Sequence, residues 1–382
     1  MSLDPCERQA FPLERQVDGP RLPLLQPELP DLNDFTSSLR EIWNTGALTN
    51  WGPFVRRYEQ LARTYLSVPY ANAVVSADIG LVLAIAALQL PTGSAVLVPS
   101  FTFNSTVNAV IWNRLRPVFC DVDQDSFCID PRAVALQMTE DVALVIGTHV
   151  FGTPCDADAL REAAAGRPVL FDAAQAYGAR YRGRMVGGLG DIEVFSFSVT
   201  KLVQSAEGGL VTTQNAAFAE RFAYLRNYGF SGDYESHYVG LNGKMSEIHA
   251  ALACLTLPTV EDAVVRRTAI MARYQHNLAS LDGVRFQRVS DRDRSVYKDV
   301  GIVFEQGRDA VETALTSAGI QTRRYFHPAH LMRAYQAFAL TSLPVTERLA
   351  HQVLCVPMFN TMDLTDVDHV CEVIHAVLGR PM

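Results

Sequence analysis

One stretch, residues 168–213, constrains the fold of this chain more than any other, because it contains two short apolar runs that each lead to a reactive side chain. The first run, residues 169–171, predicts a buried strand that ends at Asp172. The second run, residues 192–197, alternates apolar with small or polar residues and predicts a second strand, with Lys201 shortly after it. The pattern therefore predicts a carboxylate and an amine near the C-terminal ends of two strands.

The amine is informative because lysine is rare in this chain. Lys and Arg together number 33, yet the only lysines are Lys201, Lys244 and Lys298. A lysine kept beside a buried strand indicates a role that arginine cannot perform, such as losing a proton and forming a Schiff base. The alternative from composition alone is an ordinary lysine at a strand end. Lys244 is a weaker candidate for the same role, because it lies between a loop and a helix.

The segments FDAAQAYGA and FSFSVTKLVQSAEGGLVTT resemble the sugar aminotransferases of the DegT/DnrJ/EryC1/StrS family, which are pyridoxal phosphate (PLP) enzymes of the aspartate-aminotransferase-like type I fold. The resemblance implies that Lys201 carries the cofactor as a Schiff base and that Asp172 meets the pyridine nitrogen. It also implies that Gln175 lies beside the phenolic oxygen of the cofactor and that Ser196 helps to hold the phosphate.

Two further segments carry the resemblance, which covers nearly the whole chain from about residue 20. PSFTFNST is similar to the family's PSxTFxAT segment, which implies that Phe103 stacks on the pyridine ring; the alternative is that Phe103 belongs to the core. YVGLNGKMSEIHAALA is similar to GxNxRMxEIQAA, with Lys244 in place of the common arginine. Its asparagine, Asn242, is expected to cross a homodimer interface to the cofactor phosphate of the neighbouring subunit.

The residues Ser76, Ala77 and Asp78 predict the start of a helix, at the position of the family's phosphate-binding turn. A helix N-terminus suits an anion, since unpaired amides and the macrodipole converge there. Asp78 stands where the family has threonine, and a carboxylate facing a phosphate would repel it. We therefore expect Asp78 to turn away as the N-cap. The alternative is that the phosphate is held differently.

The segment GIQTRRYFHPAHLMRAY resembles GIxTxxHYxPxH, which lines the substrate side in the family. Tyr325 and Phe326 replace the usual histidine and tyrosine, while His330 keeps the last histidine. The resemblance makes Tyr325 and His330 the expected substrate contacts, although a histidine is more often structural than functional.

Length and resemblance together predict an α/β protein of two domains. A chain of 382 residues exceeds the size at which a single core usually stops growing. We expect an N-terminal arm and a large PLP-binding domain over residues 1–255, with a mostly parallel central sheet flanked by helices. A smaller C-terminal α+β domain is expected over residues 256–382, with a strand at 297–304.

Composition excludes several other classes of protein. Hydrophobic residues at 48% and charged residues at 19% are typical of a globular protein, and a net charge of −8 argues against nucleic-acid partners. No membrane span is expected, because no run of 18 apolar residues occurs, and the start does not resemble a signal peptide. Seven scattered cysteines without a CxxC pair predict neither a disulfide framework nor a metal site, and favour a reducing cytoplasm.

The resemblance implies transfer of an amino group from an amino acid, usually glutamate, to a nucleotide-linked keto-deoxy sugar, as in deoxyamino sugar and antibiotic biosynthesis. Two alternatives stay open: a keto-cyclitol or aminoshikimate-type acceptor, and a non-catalytic binding or regulatory protein that kept the PLP fold. Dehydrating relatives place a histidine at the lysine position, so Lys201 favours amino transfer.

The glycines at 187, 188 and 190 lack the GxGxxG spacing, so nicotinamide binding is not expected.

Overall fold

The computed structural model describes residues 21–232 and 234–379. The predicted N-terminal arm lies outside the described residues up to residue 20. The helices of the described part are α1 Leu32–Thr45, α2 Pro53–Leu66, α3 Ala77–Ala87, α4 Asn104–Trp112, α5 Pro131–Gln137, α6 Ala157–Ala163, α7 Ala216–Leu225, α8 Glu247–Thr256, α9 Val260–Leu278, α10 Arg308–Ser317, α11 Pro344–Gln352 and α12 Leu364–Leu378.

Its strands form three sheets of seven, three and two strands. They are β1 Tyr70–Val74, β2 Ala95–Pro99, β3 Arg116–Cys120, β4 Val142–Thr148, β5 Val169–Asp172, β6 Arg180–Tyr181, β7 Arg184–Met185, β8 Ile192–Ser196, β9 Gly209–Thr213, β10 Val284–Phe286, β11 Val300–Phe304 and β12 Val353–Val356.

The seven-stranded sheet has the order β1–β9–β8–β5–β4–β2–β3. β9 runs antiparallel to both of its neighbours, and the other four pairs are parallel. A mostly parallel sheet is buried on both faces, which explains why its strands are continuous apolar runs. Within β2, for example, Leu97 packs into one core cluster while Val96 and Val98 pack into the cluster on the other face. The predicted fold class is confirmed.

The three-stranded sheet is antiparallel, in the order β10–β11–β12, and it has a separate core. Ile302 and Leu354 from this sheet pack there against residues of α9, α10 and α12. The predicted division after residue 255 stays a prediction, and it falls at the end of α8. Two segments connect the regions on either side of it: Leu22 bridges to Ile320, and Tyr335 packs into a core cluster of the large sheet.

One helical stretch among the described residues, Glu247–Leu278, is long and apolar enough to cross a membrane by length and composition alone. Half of its most apolar part is buried inside the protein, and core helices pass the same test. Ala250 in α8 and Val264 in α9 lie in the core cluster of the large sheet, so packing within the protein accounts for the apolar character.

Candidate active site

The candidate site lies where neighbouring strands of the large sheet end. Asp172 is the last residue of β5 and pairs in register with Thr148, the last residue of β4. Ser196 is the last residue of β8 and pairs with Gly209, the first residue of the antiparallel β9. Ligands of open α/β sheets bind outside the carboxyl ends of the parallel strands, so these residues lie at the edge where a ligand is expected.

The carboxylate of Asp172 is buried and accepts hydrogen bonds on both oxygens. The Thr106 hydroxyl donates to Oδ2 at 2.6 Å, and the backbone N–H of Ala174 donates to Oδ1 at 3.1 Å. Burial raises the pKa of Asp172, while these two donors and the nearby Lys201 act in the opposite direction. The structure therefore balances burial of the carboxylate against donors that favour its ionised form.

Lys201 lies in the loop between β8 and β9, where its backbone N–H donates to the carbonyl of Ser198 at 3.0 Å. Burial lowers the pKa of its amine from 10.5 to about 8, and the neighbouring cation of Lys298 adds to this effect. Asp299 and Asp172 oppose the shift. An amine of this pKa is partly unprotonated near neutral pH, which is the state that attacks a carbonyl carbon.

Gln175 follows β5 in the turn after Asp172. Its side-chain oxygen accepts the backbone N–H of Phe151 at 2.6 Å, which fixes the orientation of the amide. Because that oxygen is occupied, the amide NH₂ is left to donate a hydrogen bond to a ligand oxygen.

The N-terminus of α3 lies against the start of β9. Ser76 is the N-cap and accepts the backbone N–H of Ile79 at 3.3 Å. The prediction that Asp78 is the N-cap is wrong. Asp78 is the second residue of the helix and is exposed, because Ser76 has the extended backbone of an N-cap and its hydroxyl accepts the N–H of Ile79. A Cβ atom on Gly209 would approach the backbone nitrogen of Ala77 to 2.8 Å, so the strand touches this helix start only because residue 209 has no side chain.

The ring of Phe103, at the N-cap of α4, is 56% exposed, so the alternative that it is a core residue is wrong. It borders a cavity of about 200 Å³ together with Tyr325, Phe326 and His327. His327 is exposed at this cavity, and the family pattern gave no reason to single it out.

The two predicted substrate contacts occupy different environments. The Tyr325 hydroxyl accepts a hydrogen bond from Arg323 at 2.8 Å, and the amine of Lys298 lies 5.9 Å from the centre of its ring. His330 is buried, and its two ring nitrogens lie 2.7 Å from the Ser100 hydroxyl and 3.3 Å from Glu347. Both nitrogens are thus engaged within the chain, so His330 joins separate segments, and its predicted contact with substrate stays a prediction.

The side chain of Asn242 is exposed, on the strand-like bridge that pairs it with Asn227. The amine of Lys244 lies 3.1 Å from the amide oxygen of Asn227 and 4.4 Å from the centre of the Tyr228 ring. Its surroundings are therefore an amide and an aromatic ring, unlike the carboxylates around Lys201.

Sequence reasoning missed two neighbours of the site. Thr106 lies in the PSFTFNST segment, but its contact with Asp172 joins residues 66 positions apart. Lys298 is buried, and its amine contacts both oxygens of Asp299, at 2.9 and 3.0 Å. The scarcity of lysine, which drew attention to Lys201, applied equally to Lys298 and was the available signal.

A family model described as the DegT/DnrJ/EryC1/StrS aminotransferase family matches residues 31–375. The chain belongs to this family. It is therefore a PLP-dependent aminotransferase, as predicted, and the cofactor is pyridoxal phosphate.

Three similar proteins illustrate the relationship. The chain is 30% identical to dTDP-4-amino-4,6-dideoxy-D-glucose transaminase of Escherichia coli, over 94% of this chain and 98% of that protein. It is also 30% identical to GDP-perosamine synthase of Caulobacter vibrioides, over 94% of this chain and 99% of that protein. The crystal structure of DesI in the presence of its TDP-sugar product superposes with a TM-score of 0.89 at 35% identity, covering 95% of this chain and 94% of DesI.

The residues at the strand ends of this aminotransferase fit pyridoxal phosphate. Lys201 supplies an amine of lowered pKa, and Asp172 supplies a carboxylate with donors on both oxygens. The approach of Gly209 to Ala77 forms a cradle that a Cβ atom would fill, beside amides suited to a phosphate.

Proposed function

We propose that this aminotransferase moves an amino group from glutamate to the keto group of a nucleotide-linked deoxy sugar, with Lys201 as the residue that binds the cofactor covalently. The observation that carries the proposal is that a lysine of lowered pKa and a buried carboxylate influence each other electrostatically near the carboxyl ends of the sheet. The names of the two relatives, a dTDP-sugar transaminase and a GDP-perosamine synthase, support the acceptor class.

Each residue at the site has a role in this proposal. Asp172 pairs with the pyridine nitrogen of the cofactor, and the Gln175 amide donates to its phenolic oxygen. Phe103 presents a flat face to the ring. The phosphate is held by Ser196 and by the first turn of α3, where Ser76, Ala77 and Asp78 lie. Tyr325 borders the space for substrate.

When bound, pyridoxal phosphate supplies an electron sink for the negative charge that develops at the α-carbon of the amino acid. The amine of Lys201 would take the proton from that α-carbon as a general base, which typically contributes about 10²–10⁴-fold in rate. The ionised form of Asp172 favours a proton on the ring nitrogen, because opposite charges stabilise each other across a short distance.

The functional unit in this proposal is a homodimer in which Asn242 reaches the cofactor phosphate of the partner subunit. The loop before Asn242 exposes apolar side chains: Tyr228 is 41% exposed, Tyr234 is 88% exposed and Val239 is 99% exposed. Clustered exposed apolar residues of this kind mark interaction surfaces.

The first experiment locates the covalent bond. Borohydride reduction of the cofactor-loaded protein, followed by peptide mass spectrometry, is expected to find the label on Lys201. Lys201→Ala is expected to fold, to bind cofactor without a covalent bond and to lose turnover, whereas Lys244→Ala keeps the label on Lys201. A label on Lys244 or Lys298, or turnover by Lys201→Ala, contradicts the assignment.

The second experiment identifies the acceptor. Glutamate is incubated with the protein and a panel of dTDP- and GDP-linked keto sugars, with keto-cyclitols as comparison, and aminated products are detected by mass spectrometry. The proposal expects amination of a nucleotide-linked sugar. Amination of only a cyclitol overturns the acceptor class, and no conversion of glutamate to its keto acid favours the non-catalytic alternative.

A further inference from the structure

A line of three buried threonine hydroxyls ends on the carboxylate of Asp172. The Thr148 hydroxyl lies 3.0 Å from the Thr102 hydroxyl, which lies 2.9 Å from that of Thr106, which in turn lies 2.6 Å from Oδ2 of Asp172. All four side chains are buried, with at most 6% of any of them exposed. They come from four separate parts of the chain: the end of β4, the loop after β2, the first turn of α4 and the end of β5.

Counting protons fixes which group donates in each of these three hydrogen bonds. Each hydroxyl carries one proton, and an ionised carboxylate carries none, so Thr106 donates its only proton to Asp172. Thr106 must then accept from Thr102, because it has no second proton to give. Thr102 in turn accepts from Thr148. The hydroxyls therefore all point toward Asp172, an arrangement in which each bond polarises the next.

These hydrogen bonds affect how strongly Asp172 competes with a neighbouring base for a proton. A carboxylate that accepts strong hydrogen bonds is a weaker base than one left bare in the same buried place. Beside a ring nitrogen, the weaker base leaves the proton on the nitrogen. Burial alone acts in the opposite direction, as the raised pKa of Asp172 indicates.

We propose that Thr106 is a positioning residue which, backed by Thr102 and Thr148, keeps Asp172 ionised and oriented so that the proton shared with the cofactor stays on the ring nitrogen. This inference rests on the proposed pairing of Asp172 with that nitrogen. The competing explanation is that the hydroxyls merely satisfy one another inside the core.

The test compares Thr106→Val, which removes the hydroxyl at nearly constant shape, with Thr106→Ser, which keeps it. The first readout is the pH titration of the Asp172 carboxyl in the cofactor-free protein, followed by ¹³C NMR and assigned with Asp172→Asn. Loss of one hydrogen bond to a charged group is expected to raise the midpoint by about one to two pH units in Thr106→Val. Thr106→Ser is expected to titrate close to wild type.

The second readout is the ¹⁵N chemical shift of the ring nitrogen in protein loaded with ¹⁵N-labelled pyridoxal phosphate. In Thr106→Val the shift is expected to move toward that of unprotonated pyridine. Thr102→Val should produce a smaller change, and Thr148→Val a smaller one still, because each lies one hydroxyl further from the carboxylate.

Thr212→Val is the matched control, since Thr212 is also buried but donates to the carbonyl of Gly187 instead. It is expected to lower the free energy of unfolding without moving either signal. If Thr106→Val loses only thermal stability while both signals stay at their wild-type positions, the hydroxyl chain is structural and the proposal is wrong. If Thr106→Val does not fold, the Thr102→Val and Thr148→Val series decides the question in the same way. Failure of the proposed pairing between Asp172 and the ring nitrogen gives a different result. In that case Asp172→Asn leaves the ¹⁵N chemical shift of the ring nitrogen unchanged.

Discussion

Charges of both signs surround the amine of Lys201. Lys298 and burial lower its pKa, while Asp299 and Asp172 raise it, and burial dominates. Lys298 and Asp299 have opposite effects on the pKa of Lys201. These effects largely cancel, because the two opposite charges lie only 2.9 Å apart. Burial in the loop after β8, rather than a single neighbouring charge, is thus the main cause of the lowered pKa of this amine.

The pH dependence of cofactor uptake follows from this pKa. Only the neutral amine attacks an aldehyde, so the rate at which the cofactor-free protein takes up pyridoxal phosphate is expected to rise about tenfold per pH unit below pH 8 and to level off above it. The measurement is stopped-flow absorbance across pH 6–10, with Nα-acetyl-lysine as the control amine. A protein rate that keeps rising up to pH 10, as the control does, contradicts the lowered pKa.

Local patterns predicted that Asp172 ends a strand, because strand periodicity decides which residue stands there, and the scarcity of lysine drew attention to Lys201 in the loop after β8. They could not give the Thr106–Asp172 bond or the buried Lys298, because those contacts join segments distant in sequence. The error at Asp78 has a local cause: Ser76 and Asp78 are both good capping residues, and only the backbone angles at the helix start decide between them.

Among the elements, β9 and the start of α3 make a close contact at the expected phosphate site. Gly209 begins the strand, and its missing side chain allows the backbone of Ser76 and Ala77 to come within van der Waals reach. The antiparallel β9 lies between β1 and β8, so it links the strand that leads into α3 with the strand that leads toward Lys201.

Gly209→Ala is expected to lower the free energy of unfolding by about 1–3 kcal/mol and to weaken cofactor binding, because the new Cβ meets backbone atoms that cannot swing away. Gly188→Ala is the matched control, since its Cβ meets the flexible amide end of Gln214 at 2.5 Å. Urea denaturation and absorbance titration with pyridoxal phosphate measure the two effects. Equal losses in both variants would show that the β9–α3 contact has no special role.

The strands that lead to the site were largely predictable, because their short apolar runs are bounded by glycine or polar residues. Gly46 ends α1 in the left-handed conformation, which glycine adopts without steric cost. The strand predicted over 297–304 is shorter, Val300–Phe304. Tyr297 has a φ of 46°, and the N–H of Lys298 donates to the carbonyl of Phe151, so neither residue can extend the strand. A long-range contact overrides the apolar pattern there.

For the whole molecule, the proposed homodimer makes each active site depend on two chains. Exposed apolar residues beside Asn242 leave a surface that a second copy would cover. Local sequence patterns do not encode such a surface, since an exposed tyrosine or valine is unremarkable until its neighbours in space are known.

Mixing two inactive variants tests this dependence. In a hybrid of Lys201→Ala and Asn242→Ala subunits, one site combines an intact Lys201 with an intact Asn242 only if Asn242 acts on the partner. We expect the mixture, after dissociation and reassociation, to recover up to about a quarter of wild-type turnover, because half of the dimers in a statistical mixture are hybrids with one intact site. Each variant alone, treated identically, is the control. No recovery despite hybrid formation, checked by native mass spectrometry, would place Asn242 in its own subunit's site or outside it.

The three tryptophans of the chain all lie toward the outside: Trp43 is 73% exposed, Trp51 is 49% exposed and Trp112 is 77% exposed. Their indole emission therefore reports the protein's surroundings more than its interior. Loosening of the core should change the emission of Trp43 and Trp112 little, whereas a neighbour that covers Trp43 should shift it toward the blue. The chain thus carries a built-in optical probe of assembly that needs no label.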